Sequence, residues 1–134
     1  MRVTNEERVT MKQILVVNDD PMTQWLLETV LVSAGYQILR AFDDYHAISI
    51  LKDERPDMLL CEAAMPDGAD DHKVLNFVRS TPRLVDMPVI MVSADADTQG
   101  EYESKFVRAD NYLSNIFMPN TLVSMIDQYL GGRG

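Results

Sequence analysis

Short runs of four or five apolar residues alternate along this chain with longer stretches in which apolar residues recur every three or four positions. Ile14-Leu15-Val16-Val17, Met58 to Glu62 and Val89-Ile90-Met91-Val92 are apolar nearly throughout, which predicts strands covered on both faces. Gln37 to Ala41 and Tyr112-Leu113 predict two further strands. Between them, Trp25, Leu26, Val30 and Leu31 predict the apolar face of a first helix, opened by Asp20-Pro21 as N-cap and first position and closed by Gly35. Ala47, Ile48 and Leu51 predict the inward face of a second helix starting at Asp43 or Asp44, and Val74, Leu75 and Val78 that of a third. Glu101 to Val107 predicts a weaker fourth helix, and Leu122, Val123, Ile126 and Leu130 a fifth.

Strand and helix therefore alternate five times. This order predicts an α/β fold, a five-stranded parallel sheet flanked by five helices in a three-layer sandwich. In such a sheet ligands bind outside the carboxyl ends of the strands. The residues gathered there are Asn18, Asp19 and Asp20 after the first strand, Glu62 ending the third, Ser93 after the fourth, and Ser114 and Asn115 after the fifth. Glu62 stands out, because it is the single carboxylate at the end of the apolar run between Pro56-Asp57 and Pro66.

Composition narrows the functional classes. The 134 residues suit one domain, read as residues 12–130 with an extension at 1–11 and a flexible tail at 131–134. A formal charge of −9 argues against nucleic-acid backbone binding, which depends on Lys and Arg. The lone Cys61 lies in an apolar run and reads as a small buried hydrophobe. No apolar run approaches membrane-spanning length, and a cytoplasmic location is expected. His46 and His72 have no partner at metal-ligand spacing, and Trp25 reads as core or as a surface anchor.

From Lys12 to Tyr129 the sequence resembles the response-regulator receiver domain, the phosphoacceptor module of two-component signalling. The resemblance rests on Ile14 to Pro21, Gly35-Tyr36, Pro56-Asp57 through Met65-Pro66, Pro88 to Ala94, and Ala109 to Leu113, five motifs in the family's order and spacing. It implies the flavodoxin-like (βα)5 fold. It also implies a site in which two acidic residues help hold Mg²⁺, an aspartate is phosphorylated, a Ser or Thr binds the phosphoryl group, and a lysine completes the set. Those places are held here by Asn18 and Asp19, Glu62, Ser93 and Asn115, so three of the five are changed. The aromatic switch position of the family corresponds to Tyr112, and Ile116 replaces the family's usual proline.

These changes bear directly on the chemistry. Mg²⁺ demands near-octahedral oxygen ligands at about 2.0–2.1 Å, and a neutral Asn18 with a lengthened Glu62 weakens charge and fit around Asp19 and Glu62. Weak Mg²⁺ binding at best is expected, and no other cofactor. Losing the lysine removes a cation from the phosphoryl site, where electrostatic stabilisation is the largest catalytic contribution. The expected arrangement has the amides of Asn18 and Asn115 donating hydrogen bonds to Glu62.

The leading expectation is a non-enzymatic, stand-alone pseudo-receiver acting through protein contacts. Its partner would be a histidine kinase, another regulator or a second copy, met through the fourth-helix, fifth-strand, fifth-helix face at Thr98 to Tyr129. One alternative keeps phosphotransfer, with Asp19 or Ser93 as substitute acceptor. Another is a small metal-dependent phosphohydrolase using Asp19, Asp20 and Glu62.

Overall fold

A computed structural model describes residues 11–63, 73–93, 108–114 and 118–131. In chain order its elements are β1 (Gln13–Val17), α1 (Pro21–Ser33), β2 (Gln37–Ala41), α2 (Asp44–Asp53), β3 (Met58–Glu62), α3 (Lys73–Ser80), β4 (Val89–Val92), β5 (Asn111–Leu113) and α4 (Pro119–Leu130). The fourth of the five expected helices, at Glu101 to Val107, lies outside the described residues, as do His72 and the loop after Met65.

The strands form one parallel sheet in the order β2-β1-β3-β4-β5. Leu15 is aligned with Leu39 on one side and Leu59 on the other, and Leu60 with Ile90. The chain passes from β1 outward to β2 and then returns across β1 to β3. This reversal makes the carboxyl ends of β1 and β3 the switch point of the sheet.

Alternation along the strands sorts the core into two layers. Ile14, Val16, Met58, Leu60, Ile90 and Val92 pack with Leu27 and Leu31 of α1 and Leu122 and Ile126 of α4. On the other face Leu15, Val17, Leu59, Cys61, Val89 and Met91 pack with Ala47 and Leu51 of α2 and Val74, Leu75 and Val78 of α3. Both faces of β1, β3 and β4 are thereby dry, which is why those strands read as continuous apolar runs. The 81–87 connector contributes Leu84 and Met87, both fully buried.

Local sequence sets the boundaries. Asp20 caps α1 by accepting from the Thr23 amide, Pro21 supplies its first turn, and Gly35 just beyond takes φ 96°, open to a residue without a Cβ. Asp43 caps α2 through the His46 amide. The phase of α1 differs from the apolar face expected for it. Its buried residues are Thr23, Gln24, Leu27 and Leu31, with Leu26 and Val30 half-buried, and Trp25 points outward at 59% exposure. Among the described residues no helix is long and apolar enough to cross a membrane.

Candidate functional site

β1 and β3 end side by side, and the backbone ladder continues past them. The Ala63 amide donates to the Val92 carbonyl at 2.8 Å, and the Ser93 amide to the Leu113 carbonyl at 3.0 Å. These bonds carry Glu62 and Ser93 to the same edge as Asn18. Asn18 is 2% exposed and Ser93 3%, whereas Glu62 is half-buried and Asp19 exposed.

Two hydrogen bonds orient the Asn18 amide. Its Oδ1 accepts from the Asp20 amide at 2.9 Å, which leaves its Nδ2 as the group facing Glu62, and Nδ2 donates to Glu62 Oε2 at 3.2 Å. An N–H donor therefore stands where a metal site would need an oxygen lone pair. In this orientation a cation beside Asp19 and Glu62 would meet the positive end of the Asn18 amide dipole, and an amide in place of a carboxylate weakens the charge that Mg²⁺ would need there. Among the described residues no group of three or more His, Cys, Asp or Glu side chains gathers as a metal site.

Asp20, expected in the acidic pocket, is committed elsewhere. Its Oδ2 accepts from the Thr23 hydroxyl at 2.6 Å and the Thr23 amide at 3.1 Å. The hydroxyl bond, then the amide bond, hold its carboxyl below the ordinary aspartate range. Beneath the edge, burial pushes the Cys61 thiol far above its usual range, with Asp44 and Glu62 adding like-sign repulsion of a thiolate. Cys61 is part of the core layer between the sheet and α2 and α3.

Asp57 sits at the opposite edge of the sheet and belongs to the fold. Its amide donates to the Gln13 carbonyl at 2.7 Å while its Oδ2 accepts from the Gln13 amide at 2.8 Å. Tyr112 is half-buried and packs against the layer that holds α2 and α3. Asn115 lies outside the described residues, so the second expected amide bond to Glu62 does too. His46 is exposed.

Gln24 and Asp44 take buried places in this region that residue type alone does not announce. Gln24 Nε2 donates to the carbonyls of Ala41 at 2.7 Å, Val16 at 3.0 Å and Asn18 at 3.2 Å. It ties the ends of β1 and β2 to α1 from within, at 1% exposure. The signal was available, since Gln24, Leu27 and Leu31 share one helical stripe. Asp44, first residue of α2, is only 7% exposed and close enough to Cys61 to disfavour its thiolate.

Comparison with known proteins bears on what this edge is. Residues 14–127 match the response regulator receiver domain. The chain belongs to this family. Among curated relatives, the phosphate regulon transcriptional regulatory protein PhoB of Pseudomonas aeruginosa is 28% identical over 123 residues, 92% of this chain and 53% of that protein. An uncharacterised 14.6 kDa protein of Leptolyngbya boryana is 34% identical over 119 residues, covering 87% of this chain and 88% of the other. A crystal structure of a putative response regulator from Chloroflexus aurantiacus is similar at TM-score 0.78 and 31% identity, over 91% of this chain and 99% of that one. The receiver chain spans about half the length of the first curated relatives it matches. The parallel α/β sheet expected from the strand-helix alternation and the receiver fold implied by the resemblance are thus found, and two-component signalling is the family's setting.

Proposed function

We propose that this receiver is a pseudo-receiver, signalling through protein contacts with its phosphoacceptor position occupied by a fixed carboxylate. The observation that carries this reading is the Asn18 Nδ2 to Glu62 Oε2 hydrogen bond, with Asn18 Oδ1 already engaged by the Asp20 amide. The amide supplies to Glu62 part of the stabilisation that a cation gives a phosphoacceptor carboxylate in the family. It does so without a metal. Glu62 carries its negative charge one methylene further out than aspartate, towards the space a phosphoryl oxygen would take. Ser93, buried at 3% exposure, is poorly placed as a substitute acceptor, and among the described residues Asp19 makes no ion pair.

The site's own residues then have simple roles. Glu62 is the charge, Asn18 orients it, Asp19 adds to the negative edge, and Ser93 with half-buried Tyr112 forms the hardware through which a partner is sensed. Whole-protein partners follow from the family setting, namely a histidine kinase or a second regulator.

Incubation with acetyl phosphate and Mg²⁺, followed by intact mass measurement, tests the reading. The expected result is no added phosphate and no saturable Mg²⁺ heat in titration calorimetry. A hydroxylamine-labile adduct of one phosphate per chain would overturn it. The combined Asn18→Asp, Glu62→Asp and Asn115→Lys variant provides the positive control and is expected to gain both properties.

A further inference from the structure

Gln24 is a polar side chain in an apolar place. It is 1% exposed on the inner stripe of α1, ahead of Leu27 and Leu31, and its Oε1 is buried with no partner among the described residues. Leucine or methionine would fill the same space without an orphaned acceptor. What the carboxamide adds is its nitrogen. Nε2 stands 2.7 Å from the Ala41 carbonyl, 3.0 Å from that of Val16 and 3.2 Å from that of Asn18, so its two hydrogens are shared among three acceptors.

The third of these bonds reaches the candidate site. Asn18 is where β1 turns towards α1, and three of its polar groups are held by neighbouring chain. Its amide donates to the Ala41 carbonyl at 3.0 Å, its carbonyl accepts from Gln24, and its Oδ1 accepts from the Asp20 amide. The Ala41 carbonyl thus serves Asn18 and Gln24 together, and one carboxamide joins the end of β2 to the Asn18 turn. Only Nδ2 is left to be aimed, and it meets Glu62 Oε2 at 3.2 Å. That distance lies at the long end of the N–H···O range of about 2.7–3.2 Å, so Glu62 by itself is a weak anchor for Asn18. The backbone around Asn18 must set the aim.

We propose that Gln24 is the positioning residue of this site, its carboxamide holding the Asn18 turn in the conformation that points Nδ2 at Glu62. The proposal rests on the pseudo-receiver reading and deepens it, because a fixed carboxylate needs something that fixes it. Gln24 touches neither Glu62 nor the solvent edge. It acts from inside the helix, through Asn18.

NMR of the full chain, reading the exchange of the Asn18 Nδ2 hydrogens with water, is the test. Glu62→Ala removes their acceptor and is expected to speed exchange ~10-fold or more. Gln24→Met keeps the length and apolar bulk, removes the donor, and is expected to reproduce that acceleration with Asn18 and Glu62 unaltered. Leu31→Ala, a truncation further along the same inner stripe, controls for lost stability alone and should leave the Asn18 hydrogens as protected as in the wild type. The wild type gives a second reading that needs no variant to fold. In urea below the unfolding transition, the Asn18 Nδ2 and Gln24 Nε2 hydrogens should be released in one common opening. Full protection of Asn18 in Gln24→Met overturns the proposal. So does equal acceleration by Leu31→Ala, which would make the effect general loosening, or release of the Asn18 hydrogens well before those of Gln24. Asn18 hydrogens unmoved by Glu62→Ala would mean that the pair does not form in solution, which removes the pseudo-receiver reading and the proposal with it.

Discussion

An amide buried in the inner stripe of a helix has to find acceptors there, and Gln24 finds three. Its Nε2 serves the carbonyls of Val16, Asn18 and Ala41, while its Oε1 has no partner among the described residues. An unpaired buried acceptor is unfavourable, so the three donations must outweigh it. Gln24→Leu keeps the volume and removes the donor, and is expected to cost about 2–3 kcal/mol in urea unfolding. Gln24→Glu should be worse, because a carboxylate repels the carbonyls it would face. Equal stability of wild type and Gln24→Leu would show that these bonds do not hold the β1 end in place. Asp20 makes a prediction in pH. Its folded pKa lies below 3.8, so its stabilising contribution is present above that value and is lost as pH falls through the lower folded value. The stability gap between wild type and Asp20→Ala should therefore shrink in acid. An unchanged gap well below pH 3.8 would detach the cap from the carboxylate's charge.

At the scale of elements, the legibility of a helix depended on how many of its residues are polar. α4 carries Asn120, Thr121, Ser124, Asp127 and Gln128 around Leu122 and Ile126, so its buried stripe is readable, and those two residues are buried. α1 is apolar at Trp25, Leu26, Leu27, Val30, Leu31 and Val32, and periodicity in such a run fixes no phase. The run therefore leaves Trp25 readable as core or as a surface anchor, and the polarity of Gln24 hides its burial. β3 and β4 were readable to the residue because strands buried on both faces need no phase at all. The site was legible as a set of strand ends, yet the Asn18 amide orientation depends on the Asp20 backbone, which no pattern of residue types reveals. The phase of α1 can be checked by substitution. Leu31→Ala should cost about 2–5 kcal/mol as a core truncation, whereas Trp25→Ala should leave stability within about 0.5 kcal/mol. Similar losses from both would return Trp25 to the core.

Across the whole molecule, the two edges of the sheet do opposite work. The carboxyl edge holds Asn18, Glu62 and Ser93, while the amino edge closes strand starts with aspartates that double as backbone acceptors. Asp57 clasps Gln13, and Asp110 clasps Val89 in the same reciprocal manner, its amide donating to the Val89 carbonyl and its Oδ2 accepting from the Val89 amide at 2.7 Å. Arg79 of α3 joins the second clasp to the rest of the fold. Its Nε donates to the Arg108 carbonyl, its Nη1 to the carbonyls of Val85 and Met87, and its Nη2 to Asp110 at 2.8 Å. The Asp110 side chain is 39% exposed, so solvent screens the ion pair and the charge contributes little. The carbonyl bonds matter more, because the Arg79 side chain is only 12% exposed and one planar fork satisfies acceptors on separate segments. Arg79→Met is expected to cost about 2 kcal/mol and Arg79→Lys to recover less than half of it, since an ammonium cannot span the same acceptors. Added salt should leave both differences nearly unchanged. A loss that vanishes at high salt, or full rescue by lysine, would mean that the ion pair with Asp110 holds this edge together and the carbonyl fork does not.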